Sequence, residues 1–449
     1  MRTVEQSARA LDSGKTTSRA LVEECLAQIA DPAGEGARTF VKIYADAARM
    51  MADAMDELRR AGRSPGRYAG IPIALKDLFD VAGEPTPAGS RALADAAPAA
   101  AHAPVVERVL AAGFVPVGRT NMTEFAFSGL GINPHHGTPL APWAREEQRI
   151  PGGSSSGTAV AVADGMAIVG LGTDTGGSCR IPAAFSGVVG YKPTARRVPL
   201  NGVLPLAPSL DSVGPLGPSV GCCATVDAVI SGEALLPSKP IPLTRLRLAI
   251  PENYVLDGLD ADVAGAFVHT LSLLERAGAV LLRIRIPEFD ESVEVNAKGG
   301  FAAAEAYAWH RQLLAVKADL YDPRVRTRIA RGERMSAADY RDLIVARTSL
   351  IARLDERTAD YDCIVMPTVP IVPPRIAELA NEREYNRINL LILRNTALAN
   401  FFDRCAISLP CHSPGDPPAG LMLMGETMGD RRLFRIAAAM EAVLGSQRD

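Results

Sequence analysis

Residues 151–182 read PGGSSSGTAVAVADGMAIVGLGTDTGGSCRIP and contain two glycine pairs, Gly152-Gly153 and Gly176-Gly177, each followed directly by a serine. Between the pairs, the apolar pattern predicts a helix over Ala159–Asp164 and a buried strand over Ala167–Gly172. Glycine before a serine lets a substrate carbonyl approach main-chain N–H groups closely. One such pair is most often an ordinary turn. Two copies beside buried strands favour a catalytic loop.

Short apolar segments and helical segments alternate along the rest of the chain. Residues 70–77, GIPIALKD, predict a buried strand over Ile71–Leu75 that ends at a lysine. This alternation favours an α/β fold with a central, mostly parallel or mixed sheet. Further strands are predicted at Phe114–Val117, Leu246–Ile250, Val280–Ile284, Cys363–Met366 and Ala406–Leu409. Helices are predicted from Leu21 to Ile29 with a cap at Thr17 or Ser18, and over Val41–Arg60 and Val105–Ala112.

The composition indicates a folded globular protein that can bury a large core. Of 449 residues, 47% are apolar, and 48 Lys and Arg against 51 Asp and Glu give a formal net charge of −3. Without a basic stripe, no nucleic-acid partner is expected, and no apolar run is long enough to predict a membrane span. The first residues show no signal-peptide pattern. Seven cysteines without CxxC spacing indicate reduced thiols, so we expect a cytoplasmic enzyme.

The glycine-rich loops fit no nucleotide-binding motif. No GxxxxGK[ST] string occurs, and residues 170–175, GLGTDT, lack the last glycine of a dinucleotide fingerprint. Residues 153–157, GSSSG, match the letters of a nucleophile elbow around Ser155, but residues 146–151 do not predict the strand that must precede an elbow. The six histidines form no metal-binding spacing. We therefore expect no metal and no cofactor, and a serine nucleophile would need a base other than histidine.

Three blocks resemble the amidase signature family and occur in the family's order. They are GIPIALKD around Lys76, PGGSSSGTAVAVA around Ser154, and GTDTGGSCRIPAAFSGVVGYKPT around Ser178. Weaker matches lie at residues 118–129, 209–216 and 394–433. The resemblance covers essentially the whole chain, is most specific from residue 70 to 218, and implies one large α/β domain. In that fold a central mixed sheet is covered by helices on both faces.

The expected domain organisation follows from this coverage. Residues 1–65 are expected to be an N-terminal helical segment packed on the core, and residues 66–449 the amidase signature domain, with its core motifs at 70–218. The proline-rich stretch at residues 237–242 is a weaker candidate for a boundary.

The resemblance implies that Ser178 is the acyl-forming nucleophile, Ser154 the bridging serine and Lys76 the base. A serine hydroxyl needs a neighbour to take its proton, and a lysine can do so only when it is neutral. Burial behind the strand Ile71–Leu75 would lower the pKa of Lys76, whereas a strand-end lysine ordinarily reaches solvent. The resemblance also implies a cis peptide between Gly153 and Ser154. The Ser154 hydroxyl would then lie in reach of Lys76 and close to the Ser178 hydroxyl.

The resemblance assigns the oxyanion hole to main-chain N–H groups of Thr175, Gly176, Gly177 and Ser178, because a Cβ would crowd the tetrahedral intermediate there. It assigns Asp174 and Arg180 to a supporting ion pair; the alternative is two unrelated surface charges.

Three serine and cysteine positions complete the expected site. The resemblance gives Ser155 a supporting hydrogen bond. The sequence departs from the family pattern at Ser156, where glycine is usual, and at Cys179, where a branched aliphatic residue is common. We expect Cys179 to be a small buried apolar residue rather than a reactive thiol.

The function implied by the resemblance is hydrolysis of a carboxylic amide, with release of ammonia or an amine from a small-molecule substrate. A free-standing amidase of linear amides is the first interpretation, and a homodimer is one expected assembly. A glutaminase-type A subunit of an amidotransferase complex is the alternative, and an inactive scaffold is a third. The specificity residues are sought in two segments, residues 125–136 and Phe301–Leu314, the second with Tyr307, Trp309 and His310.

Overall fold

A computed structural model of the chain describes residues 1–234 and 239–445. The candidate boundary at residues 237–242 lies in part outside them. Within these residues the strands are β1 Phe40–Ile43, β2 Pro72–Lys76, β3 Val115–Thr120, β4 Val169–Thr173, β5 Val189–Lys192, β6 Val213–Gly217, β7 Arg247–Pro251, β8 Val280–Ile284, β9 Cys363–Pro367, β10 Ala406–Pro410 and β11 Gly420–Met424. The helices are α1 Val4–Asp12, α2 Ser18–Ala30, α3 Gly36–Thr39, α4 Ala45–Arg60, α5 Pro104–Ala111, α6 Ser156–Ala163, α7 Arg180–Ser186, α8 Val220–Ser231, α9 Ala261–Arg276, α10 Pro287–Val295, α11 Gly300–Lys317, α12 Pro323–Ala330, α13 Ala337–Thr358, α14 Glu382–Phe401 and α15 Asp430–Gly445.

All eleven strands of the described residues form one mixed sheet. Its order is β1-β3-β2-β4-β6-β5-β10-β11-β9-β7-β8. The strands β3, β2 and β4 run parallel to one another, as do β9, β7 and β8, and antiparallel pairs connect these two groups. The predicted α/β class with a central mixed sheet is confirmed.

Helices cover both faces of this sheet. On β2, Ala74 packs with residues of α2 and α4, whereas its neighbours Ile73 and Leu75 pack with α5 and α8. Successive side chains of a strand point to opposite faces, so these two helix pairs lie on opposite sides. On β11, Leu421 and Leu423 likewise pack with α15, while Met422 packs with α13 and α14. The predicted helical cover on both faces is confirmed.

The N-terminal part of the chain differs from the sequence-based expectation. The helix predicted over Val41–Arg60 begins only at Ala45, because Phe40–Ile43 forms an edge strand that pairs antiparallel with β3. An additional helix, α1, precedes the predicted one and has a capping box between Thr3 and Gln6. The predicted cap of α2 is Thr17, whose side chain accepts the Ala20 N–H. The division of the chain at residue 65 stays a prediction.

No helix among the described residues is both long enough and apolar enough to cross a membrane.

Candidate active site

The pairing of two neighbouring strands brings the first site residues together. Strands β2 and β4 run parallel, with Leu75 opposite Leu171, so their carboxyl ends meet at the same edge of the sheet. Lys76 is the last residue of β2 and Thr173 the last of β4. Both strands are buried along their whole length. The sheet therefore presents a lysine and a threonine side by side at a buried edge.

Lys76 is fully buried, and hydroxyl groups surround its amine. Its Nζ lies 2.7 Å from Ser154 Oγ and 2.8 Å from Thr173 Oγ1. Within the described chain, no carboxylate oxygen lies within salt-bridge distance of this Nζ. An ammonium has three N–H donors to satisfy, and among the described residues only two acceptors, both hydroxyls, lie within hydrogen-bond distance. Burial lowers the pKa of Lys76 to about 7. The site therefore makes the neutral amine accessible near neutral pH, and a solvent-reaching lysine is excluded.

The first glycine pair leads into a cis peptide. The Gly153–Ser154 bond is cis, which confirms the prediction. The Gly153 N–H donates to Gly129 O at 2.7 Å, and Ser154 O accepts the Thr123 N–H at 3.1 Å. A Cβ on Gly153 would lie 2.6 Å from Gly131 N, so only glycine fits between these two segments. The segment from Thr123 to Gly131 therefore holds the bridging loop in place.

The second loop, residues 174–179, connects β4 to α7 and carries Ser178. The Asp174 carboxylate holds this loop by accepting hydrogen bonds from the N–H groups of Gly177 at 2.8 Å and Cys179 at 3.0 Å. Arg180 binds the same carboxylate with Nε at 3.0 Å and a terminal nitrogen at 2.8 Å, and Asp174 and Arg180 are both fully buried. The alternative of unrelated surface charges is therefore wrong.

The Asp174 carboxylate stays ionised in this environment. Burial by itself would raise its pKa, but the Arg180 guanidinium, together with Lys192 and the Cys179 N–H, outweighs that effect and lowers the pKa of Asp174 to about 2. Removing one member of such a buried pair leaves an uncompensated charge. The ion pair thus holds the two amides that flank Ser178 on either side.

The N–H groups of the loop divide into two sets. Those of Gly177 and Cys179 are taken by Asp174. Those of Thr175, Gly176 and Ser178 have no acceptor among the described residues. Free backbone N–H groups that converge on one loop form an anion-binding concavity. Three of the four amides expected in the oxyanion hole are thus available, while the Gly177 amide is occupied in this structure.

The remaining predicted residues also lie on these loops. Ser155 donates its N–H to Ser178 O at 3.2 Å and its hydroxyl to Thr173 O at 3.3 Å, so it ties both loops together. No hydrogen bond joins the Ser154 and Ser178 hydroxyls in the described chain, so that part of the proton relay stays a prediction. Burial raises the pKa of the Cys179 thiol far above its ordinary value, which leaves it a buried, unreactive side chain.

The two segments expected to form a substrate wall do meet. The Phe125 ring lies 4.4 Å from the His310 ring and 6.3 Å from the Trp309 ring, measured between centroids. Phe125 and His310 are fully buried, whereas Trp309 is partly exposed and Tyr307 bonds to Glu333. Phe125 belongs to the segment from Thr123 to Gly131, whose main chain bonds to Gly153 and Ser154. Its role in binding substrate stays a prediction.

Three residues of the site were missed from the sequence. Thr173 contacts Lys76, and Thr396 and Asn400 of α14 contact the second loop. Thr396 and Asn400 are four residues apart on one helix face and are buried. The sequence does contain a signal for Thr396 and Asn400, because two polar residues at this spacing lie on the helix face that also carries apolar residues. Among the described residues, no group of three or more His, Cys, Asp or Glu side chains could hold a metal ion.

Comparisons with known proteins agree with this geometry. The Amidase family profile matches residues 20–434. A 2-amino-5-chloromuconic acid deaminase of Comamonas testosteroni is 38% identical over 406 residues, which cover 89% of this chain and 87% of the relative. The A subunit of a glutamyl-tRNA(Gln) amidotransferase from Chloroflexus aggregans is 33% identical, with 98% and 96% covered. The crystal structure of an amidase superposes with a TM-score of 0.89 at 31% identity, with 98% and 99% covered.

The family match spans most of the chain, and the relatives are similar over nearly their full length. The family's motifs fall on the two loops and the strand end described above. The chain therefore belongs to the amidase family and is a hydrolase of carboxylic amide C–N bonds.

Proposed function

We propose that Ser178 is the nucleophile of this amidase, Ser154 the bridging serine and Lys76 the base. The observation that carries the proposal is the amine of Lys76, which is fully buried, free of a carboxylate partner among the described residues and 2.7 Å from Ser154 Oγ. A neutral lysine can accept a proton, whereas an exposed or salt-bridged lysine is already protonated near neutral pH. The free amides of Thr175, Gly176 and Ser178 lie on the loop that carries the nucleophile.

The proposed reaction uses these residues in two stages, acylation of Ser178 and hydrolysis of the acyl-enzyme. Ser178 Oγ attacks the amide carbon while its proton passes to Ser154 and the Ser154 proton passes to Lys76. The carbonyl oxygen becomes an oxyanion and is held by the free loop amides. The C–N bond breaks as the proton returns from Lys76 through Ser154 to the leaving nitrogen, which departs as ammonia or an amine. Water then attacks the Ser178 ester by the same proton route and releases the acid.

The pH dependence of kcat/KM tests the base. Since Lys76 acts only when neutral and its pKa is about 7, kcat/KM should rise with pH through about 7 and level off on the alkaline side. Steady-state rates from about pH 5 to about pH 9 in buffers of constant ionic strength measure this. A profile that falls through this pKa, or that shows no inflection over the measured range, would contradict a neutral lysine base.

We also propose that the substrate carries a carboxylate. Arg328 of α12 is only 8% exposed, and no carboxylate of the described residues lies within salt-bridge distance of it. Its guanidinium donates to Phe127 O at 3.0 Å and to Asn386 Oδ1 at 3.1 Å, and it lies 4.9 Å from the centroid of the Tyr385 ring. Buried cations are normally paired.

The position of Arg328 points to the substrate as its missing partner. Phe127 belongs to the segment from Thr123 to Gly131, which bonds to the bridging loop. An anionic group of a bound substrate would supply the counter-charge that the described chain does not. The Comamonas relative, named as a deaminase of an organic acid, is consistent with such a substrate.

A variant pair tests this assignment. Arg328→Met should raise KM for carboxylated amides by about 10- to 100-fold, because a charged hydrogen-bonded contact contributes about 1.5–3 kcal/mol. KM for uncharged amides should change little. Arg324→Met is the matched control, since Arg324 stacks on the same Tyr385 ring at 4.4 Å but is more exposed. An equal effect of Arg328→Met on charged and neutral amides would refute the assignment.

The free-standing enzyme is preferred to a component of an amidotransferase, and ammonia release by the isolated chain separates the two. Purified protein is assayed with aliphatic, aromatic and carboxylated amides and with glutamine. Turnover of amides other than glutamine without a partner supports the free-standing enzyme, and exclusive turnover of glutamine supports the amidotransferase component. We further propose a cytoplasmic location, which six buried free cysteines support, and a homodimer, which light scattering would test.

A further inference from the structure

A helix from the C-terminal part of the chain is bonded to the loop that carries the proposed nucleophile. Thr396 of α14 donates its hydroxyl to Gly176 O at 2.7 Å, and a longer contact of 3.3 Å leads to Leu393 O in its own helix. Asn400, one turn later, donates to Asp174 O at 2.9 Å and to Asp174 Oδ1 at 3.0 Å. Arg180 returns a bond to Thr396 O at 2.8 Å. Thr396, Asn400, Asp174 and Arg180 are buried, and Gly176 is partly exposed.

These bonds hold one peptide group at both ends. In the trans peptide between Gly176 and Gly177, the C=O and N–H point in opposite directions. The carbonyl is bound by Thr396, and the N–H is bound by Asp174. Gly177 has a φ of +132°, and a Cβ there would collide with the Thr396 side chain. The loop therefore combines two flexible residues with a fixed peptide plane.

Without the Thr396 bond, this peptide would be held at one end only, by the bond from the Gly177 N–H to Asp174, and its plane could rotate more easily. Two consecutive glycines have more accessible backbone conformations than any other pair. The rotation changes ψ of Gly176 and φ of Gly177, the two angles that set how the peptides on either side are oriented relative to each other, so the N–H groups of Gly176 and Ser178 that those peptides carry would lose their fixed relative orientation. It could also turn a carbonyl oxygen toward the position of the oxyanion, where its dipole is repulsive. Catalysis by such amides depends on their being oriented before the reaction.

We propose that Thr396 is a positioning residue for amide hydrolysis, which orients the free amides of the nucleophile loop by holding the Gly176 carbonyl. The inference rests on the proposed function, since it assumes that these amides bind the oxyanion. Thr396 itself bonds to the main chain of the loop and acts through it. Its effect should therefore appear in the transition state and not in substrate binding.

The test compares Thr396→Val, which keeps the shape and removes the hydroxyl, with Thr396→Ser, which keeps the hydroxyl. We expect Thr396→Val to lower kcat by roughly 10- to 100-fold with KM changed by less than about threefold, since loss of one oxyanion donor costs more than this. Thr396→Ser should stay within about threefold of the parent. Thr225→Val is the matched control, because the Thr225 hydroxyl donates to Gly221 O inside α8, away from the site.

Hydrogen–deuterium exchange gives a second readout that does not need activity. Amides of residues 174–179 should exchange faster in Thr396→Val than in the parent, in Thr396→Ser and in Thr225→Val. If the valine variant does not fold, as judged by thermal unfolding, Thr396→Ala removes the same hydroxyl with less bulk and takes its place.

The outcomes separate this inference from the proposed function. Unchanged kcat and exchange in Thr396→Val, or a serine variant as impaired as the valine variant, would overturn the positioning role. A parent protein that hydrolyses no amide and is not acylated would overturn the proposed function instead. The exchange comparison would then still decide whether Thr396 holds the loop.

Discussion

Replacing Ser178 by alanine is expected to lower kcat/KM for amide hydrolysis by at least about 10⁴-fold, as removal of a serine nucleophile does in other hydrolases. The oxygen that forms the acyl bond is lost, while the loop amides and the Asp174–Arg180 pair stay in place. Steady-state ammonia release measures the rate. Intact-protein mass spectrometry with a slow substrate should show an acyl adduct on the parent protein and none on the variant.

Ser186→Ala is the matched control for this change. Ser186 lies at the end of α7, which begins two residues after Ser178, and its buried hydroxyl has no hydrogen-bond partner among the described residues. The same substitution there should leave activity and acylation at the parent level. An adduct that persists in Ser178→Ala, or that peptide mapping places on Cys179, would show that the nucleophile has been misassigned.

Replacing Lys76 by methionine is expected to lower kcat by about 10³-fold, within the range that general base catalysis contributes. Methionine has a similar length and suits a buried strand end, so the fold should be retained. The alkaline rise of kcat/KM through about pH 7 should disappear, because the group that titrates there has been removed. Rates at several pH values, together with thermal unfolding of both proteins, measure these effects.

The Lys76→Arg variant tests whether residue 76 transfers a proton or only supplies a positive charge. Arginine donates hydrogen bonds but does not deprotonate in this pH range, so it should be as inactive as the methionine variant. A Lys76→Arg protein with near-parental activity would mean that the residue acts as a fixed cation and not as a base. The relay through Ser154 would then have to be abandoned.

The parts of the site that could be predicted from the sequence lie in short contiguous motifs. An apolar strand directly precedes Lys76, and a glycine pair directly precedes Ser154 and Ser178. These neighbouring residues are enough to mark each position. The strand that ends in Lys76 was predicted to within one residue, because a short continuous apolar run is typical of a strand buried on both faces in an α/β protein.

The contacts of α14 could not be predicted in this way. Thr396 and Asn400 are ordinary polar residues until the helix packs against a loop about 220 residues earlier in the chain. Strand β1 was mistaken for the start of a helix because its pairing with β3 outweighs local preference. Strands β5, β6 and β11 contain glycine, proline or methionine, which weaken a strand signal, and they were not predicted. In each case the deciding interaction comes from another part of the chain.

The sheet order has a consequence for any attempt to transplant this chemistry. Every motif that marks the family most specifically lies between residues 70 and 218, which suggests a portable catalytic module. Strand β5 of that stretch, however, hydrogen-bonds to β10, and Arg180 donates to Asn400 Oδ1 and contacts Met422 Sδ. Cutting the chain after residue 218 would open a new sheet edge and strip a buried guanidinium of these partners. The motif block is therefore not an autonomous unit, and a minimal enzyme built from it should include the chain through β11.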